Sequence, residues 1–336
     1  MTPRLTAAGL LAAAALTLAA CGGSGGGDQP RSDSQPPPSA KDFPPAQGKT
    51  MLQLKRSLGP GPVLAPTVQE LDPGRQRYGF ALFTTARKQI SGVPVALYVQ
   101  PSGGTKLTGP YPARDFTLDV AAAYRSETVA RDPDAAKSLY VSHVRFPRPG
   151  TYAVMAVAKL DGRLVATDPI GARVLARDPV PIVGAKAPVI DTPTVGSVGG
   201  NIRSIDTRQP PDSMHDVDFR DVVGKKPIVL VFATPALCQS RVCGPVVDIA
   251  DEVKSEFKGK AAFIHMEVYL DNTIKRGCLE GTRPAGQCLR PQMLAYHLQT
   301  EPWAFTIDRR GRVAARLEGA YSKSELQAAV AAAEKG

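Results

Sequence analysis

Apolar and polar positions divide this 336-residue chain into four stretches of different character. Leu5 to Ala20 is largely apolar and spans about 16 residues, short of the roughly 20 that a membrane-crossing helix needs. Gly22 to about Gln47 is rich in Gly, Ser, Pro and Gln and buries no core, which predicts a disordered tether. From Lys49 to about Val183, short apolar runs recur between turn residues: Arg77 to Phe83, Val93 to Val99, Leu139 to Phe146 and Thr151 to Leu160. Asp161-Gly162 is a two-residue hairpin signal before Arg163 to Ala166, so this stretch reads as all-β. Beyond a Pro- and Gly-punctuated connector, Gly184 to about Arg208, strand and helix signals alternate. Strands are predicted at Pro227–Ala233, Ala261–Tyr269, Trp303–Asp308 and Val313–Leu317, and helices at Pro245–Phe257 and Pro291–Leu298. A closing helix starts at Ser322, whose capping box is completed by Glu325.

Arg4 ahead of the first apolar run marks residues 1–20 as a targeting segment. Leu18-Ala19-Ala20-Cys21 resembles a bacterial lipobox, in which cleavage leaves Cys21 lipidated at the N-terminus. The resemblance implies a mature protein held by lipid on the outer face of the cytoplasmic membrane. The expected division is therefore signal peptide 1–20, tether 21–48, β-sandwich 49–185 and an α/β domain 186–336. Lys and Arg total 41 against 31 Asp and Glu, a net charge of +10, with no dense basic cluster interleaved with aromatics. Nucleic-acid binding has no support in that pattern.

Setting Cys21 aside, four cysteines remain: Cys238, Cys243, Cys278 and Cys288. An even number in an exported chain suggests pairing, and proximity favours Cys238 with Cys243 and Cys278 with Cys288 among three possible connectivities. The first pair stands between a buried strand and a helix, where unpaired helix N–H groups favour an exposed thiolate. Cys278 and Cys288 frame a Gly- and Pro-rich loop, where a structural disulfide would stabilise by about 2.8 kcal/mol and shape a lid over the site.

Two cysteines before a helix, Pro302 heading a later strand and the order βαβαββα resemble the redoxin superfamily, in particular its membrane-tethered extracytoplasmic thioredoxin-like members. The lead-in Gly184 to Pro188 and Asp308 to Val313 followed by Glu318-Gly319 fit the same resemblance. It implies a cis bond at Glu301–Pro302 and a substrate groove lined by Glu301, Pro302, Trp303 and Arg241, with Trp303 either an aromatic wall of that groove or a packing residue. Three departures stand out. The cysteine spacing is Cys238-x-x-x-x-Cys243 rather than Cys-x-x-Cys, Leu237 replaces the usual Trp, and the strand Ile228 to Phe232 lacks the family's buried Asp. On one regular helix, positions five apart rise about 7.5 Å, beyond comfortable disulfide reach, so Cys238 is expected in the loop and Cys243 in the first helical turn. Either cysteine can be the attacker: strand-end matching favours Cys238, while Ser240-x-x-Cys243 with Arg241 resembles the peroxiredoxin register.

In the front domain, Phe146-x-x-Pro149-Gly150-x-Tyr152-x-Val154 resembles the corner of immunoglobulin-like sandwiches. The leading expectation is thiol-disulfide exchange with envelope protein thiols and disulfides, needing no cofactor and no resident metal. Alternatives are a Cu(I) chaperone using both thiolates with His265 or His297, and a non-catalytic binding protein with an inert disulfide.

Overall fold

In the computed structural model, which describes residue 1 and residues 36–336, ten strands come before residue 175. They are β1 (Gly59–Pro60), β2 (Val63–Pro66), β3 (Gly74–Phe83), β4 (Gln89–Ile90), β5 (Val95–Pro101), β6 (Thr108–Thr117), β7 (Ser138–Phe146), β8 (Gly150–Leu160), β9 (Arg163–Ala166) and β10 (Ile170–Val174). The targeting segment after Met1 and Cys21 lie outside the described residues. The expected tether ends differently from a free linker: Phe43 and Ala46 are buried, and the Tyr98 hydroxyl donates to Pro44 O at 2.6 Å. Short helix α1 (Met51–Arg56) buries Met51 and Leu54 in the same cluster. These few apolar residues suffice to seat the segment on β5.

The front unit is all-β, but not as two separately bonded sheets of immunoglobulin type. Its strands form one sheet in the order β1-β9-β8-β5-β6-β7-β3-β2, with β10 added to β8 and β4 to β3. Pairing runs unbroken through β5, β6 and β7, and Leu71 bridges Val174 so that the two flanks approach. The sheet curls because one apolar face, including Leu64, Phe80, Leu97, Val144, Val154 and Val174, closes on itself. The expected corner is present: the Tyr152 hydroxyl donates to Arg148 O at 2.8 Å.

The second unit is a four-stranded mixed sheet, β12-β11-β13-β14, built from β11 (Ile228–Phe232), β12 (Ala262–Met266), β13 (Trp303–Ile307) and β14 (Val313–Glu318). β12 is parallel to β11, β13 antiparallel to β11, and β14 antiparallel to β13. This is the thioredoxin-like arrangement. β11 is buried on both faces, which is why it reads as a continuous apolar run. Val229 and Val231 face helices α4 (Cys243–Glu256) and α6 (Lys323–Lys335). Ile228, Leu230 and Phe232 face α3 (Phe219–Val222) and α5 (Pro291–Ala295). The Ser322/Glu325 capping box forms as expected, and Glu301–Pro302 is cis. The lead-in segment extends the sheet, with Gly184 N donating to Val313 O and Val313 N to Ala185 O.

The two units share a core. Phe116, Leu118, Leu139 and Val141 of the β unit pack with Val246, Val247, Leu326 and Val330 of α4 and α6. Arg77 reinforces the join by donating to the Glu325 carboxylate and to the carbonyls of Glu318 and Ala320. Gly319, at φ +70°, lies so near Thr67 that a Cβ there would meet its carbonyl oxygen at 1.9 Å.

Candidate active site

β11 ends at Phe232 and the chain enters a loop that returns on itself through Arg241, whose φ of 59° is left-handed. Cys238 lies in this loop and Cys243 opens α4; they form a disulfide with Cα atoms 5.9 Å apart, as the spacing requires. The expectation of an exposed thiol is corrected: Cys238 is 8% exposed and Cys243 is 0% exposed. Helix α2 (Glu127–Ala130) and the residues after it face the cysteine loop across a cleft of about 600 Å³, lined by Thr128, Asp132, Pro235, Leu237, Cys238 and Arg241 among others. Val129 approaches so closely that a Cβ on Gly244 would lie 2.8 Å from it. Across the cleft Arg241 pairs with Asp132 at 2.7 Å, and Ala136 N donates to Arg241 O.

The two sulfurs have different neighbours. Ser240 Oγ lies 3.3 Å from Cys238 Sγ, so the hydroxyl serves Cys238 and not, as the peroxiredoxin register implies, Cys243. Glu301 Oε2 lies 3.5 Å from Cys243 Sγ and accepts the Thr234 amide at 2.8 Å. Burial pushes the Glu301 carboxyl up to about 7, against the opposing pull of the Thr234 amide and the Tyr269 hydroxyl. A carboxyl poised there exchanges protons readily at neutral pH. Its role as a buried acid was not foreseen from the sequence, which offered one signal: an acidic residue directly before the cis proline. It stands two residues ahead of β13, the strand that pairs antiparallel with β11.

Of the four expected groove residues, only Arg241 lines the cleft. Pro302 is buried, its carbonyl accepting Gly319 N. Of the two readings of Trp303 the groove wall is corrected and packing holds: at 1% exposure, stacked on Phe305 and donating from Nε1 to Thr300 Oγ1, it is core. Cys278 and Cys288 are disulfide-bonded with Cα atoms 5.7 Å apart. Their loop is not the expected lid, because only Ile274 of that connection reaches the cleft and the β unit forms the opposite wall. The histidines also fall elsewhere. His265 Nδ1 pairs with Asp212 Oδ2 at 2.7 Å and its Nε2 with Ala233 O at 2.9 Å. Among the described residues the metal-spaced group at the cysteines is Cys238, Cys243 and Glu301, so the Cu(I) set lacks its histidine.

The fold and the cysteine loop define a thioredoxin-like unit with a disulfide at the head of its first long helix. Among solved structures the chain is similar to a thioredoxin-like superfamily protein, at 21% identity and a TM-score of 0.29, with 37% of this chain and 89% of that one covered. It is also similar to a thiol:disulfide interchange protein of the thioredoxin family from Chlorobium tepidum TLS, at 19% identity and a TM-score of 0.29, covering 44% and 95%. The fold assignment rests on strand order and cysteine placement rather than on these likenesses. No protein-family model and no curated protein matches the chain.

Proposed function

We propose that this protein is a thiol-disulfide exchange enzyme of the cell envelope, anchored by lipid on Cys21 at the outer face of the cytoplasmic membrane. The observation that carries the reading is Glu301 beside Cys243 in a disulfide that opens on a cleft. In the reduced protein, Cys238 is the attacker: it borders the cleft and has the Ser240 hydroxyl to stabilise its thiolate. The Cys238 thiolate attacks one sulfur of a partner disulfide, the partner's S–S bond breaks, and the leaving sulfur takes a proton. Cys243 then gives its proton to the Glu301 carboxylate and attacks Cys238 Sγ, which releases the partner's second thiolate and closes the intramolecular disulfide. One partner disulfide becomes two thiols while two protein thiols become one disulfide; the reverse steps oxidise a dithiol.

Thiol trapping tests the reading. Cys243→Ser should accumulate a mixed disulfide through Cys238 with envelope proteins or a model disulfide substrate. A Cys238–Cys243 bond that stays closed under a glutathione buffer able to reduce ordinary redox disulfides would sink it in favour of an inert bond. The anchor is tested separately: labelled fatty acid should enter the wild type and not Cys21→Ser.

A further inference from the structure

We propose that the loop before β11 carries a second site, independent of the cysteines, that binds one divalent transition-metal ion, preferably Zn²⁺, through Asp206, Asp212, His215 and His265. One ligand atom from each of these four buried residues lies within 4.8 Å of the others. Three residues come from the loop running along the edge of β12, where Met214 O accepts the amide of His265, and the fourth is His265 itself.

His215 supplies the observation that a set of carboxylates alone would not. It is 1% exposed, and neither ring nitrogen makes a hydrogen bond. Its Nε2 lies 3.4 Å from Asp206 Oδ2 and 3.5 Å from Asp212 Oδ1. A buried polar side chain without a partner calls for an explanation, and a bound ion is one. The two His215 spacings match an ion's surroundings, because bonds of about 2.0–2.1 Å in tetrahedral geometry hold ligand atoms about 3.3–3.4 Å apart; His265 Nδ1 and Asp212 Oδ2, 2.7 Å apart, separate on binding.

The groups that would orient these ligands are also in place. His265 Nε2 meets Ala233 O at 2.9 Å, the backbone contact that fixes a ligating imidazole and leaves Nδ1 for the metal. Asp206 Oδ1 accepts Arg208 N and Asp212 Oδ1 accepts Met214 N, both at 2.7 Å, which hold the carboxylates in position. Binding displaces to solvent the proton shared by His265 Nδ1 and Asp212 Oδ2. Two carboxylates and two imidazoles make an N₂O₂ set suited to zinc, and four protein ligands make the site structural. It would pin the loop beneath Ala233, next to Thr234, which holds Glu301.

The test uses the full chain in its oxidised state, so that the four paired cysteines do not compete. Stripped of metal and titrated with Zn²⁺ against a chromogenic chelator, the wild type should take up one equivalent and melt at a higher temperature. His215→Ala and Asp206→Asn should weaken uptake at least 100-fold, while His297→Ala keeps it. Co²⁺ in the wild type should give the intense visible bands of a tetrahedral N/O site, a readout that stands even if a variant fails to fold. Absence of uptake at micromolar zinc, unaltered uptake by both ligand variants, or weak octahedral Co²⁺ bands would overturn the proposal.

Discussion

The two disulfides share nearly the same Cα separation, 5.9 and 5.7 Å, and differ in everything around them. Cys238–Cys243 has a hydroxyl on one sulfur, a neutral-range carboxyl on the other, a helix start and a cleft between two structural units. Cys278–Cys288 closes a loop that contains the exposed Leu279, and no metal-spaced group forms around it among the described residues. Exposure alone would favour the other pair, since Cys278 is half-buried while Cys238 and Cys243 are buried. Reactivity is set by what can stabilise a thiolate and move a proton, not by how much water touches the sulfur.

Exchanging serines for cysteines gives the largest contrast. Cys238→Ser/Cys243→Ser should abolish disulfide exchange with a dithiol-dependent substrate. Cys278→Ser/Cys288→Ser should leave the rate within about twofold and cost about 3 kcal/mol in chemical denaturation. Equal losses of activity from both pairs would erase the distinction.

Glu301→Gln should slow resolution of the mixed disulfide by about 100-fold and remove an inflection near pH 7 from its rate profile, measured by stopped-flow. It also alters stability. With its folded carboxyl at about 7 against 4.5 unfolded, Glu301 contributes stability that is present below about pH 4.5 and lost as pH rises through about 7. The melting temperature of Glu301→Gln should therefore fall less than that of the wild type between about pH 5 and pH 8. Glu318, also pushed up to about 7 by burial, acts in both proteins and leaves that difference intact.

Ser240→Ala should slow the first attack about 3- to 10-fold, the loss of one hydrogen bond to the Cys238 thiolate, with iodoacetamide alkylation rates as the measure. Arg241→Ala removes a surface ion pair with Asp132 and should shift stability by less than about 1 kcal/mol. A change in its substrate preference larger than that would show that Arg241 reads the partner.

Local signals made much of this fold legible. The continuous apolar run Ile228–Phe232, the Ser322/Glu325 box and the Asp161-Gly162 hairpin each encode their element within a few residues. Thr108–Thr117 escaped notice because Pro110, Pro112 and charged Arg114 and Asp115 interrupt any alternation, yet neighbours on both sides hold it as a strand. The cysteine pair was legible from spacing. The cleft was not, because its second wall comes from residues around Asp132, and the carboxyl of Glu301 owes its state to burial that only the tertiary fold creates. Asp206 falls in the stretch that reads as connector and His215 beyond it, and nothing nearby in sequence announces that they converge.

The core shared by Phe116, Leu139, Val247 and Leu326 has a practical corollary. A chain severed near residue 185 would give two sticky halves, each baring a greasy flank, and the half with the sulfurs would lose one bank of its cleft. Anyone wishing to test the proposed chemistry must keep both halves together, because the two banks belong to a single body.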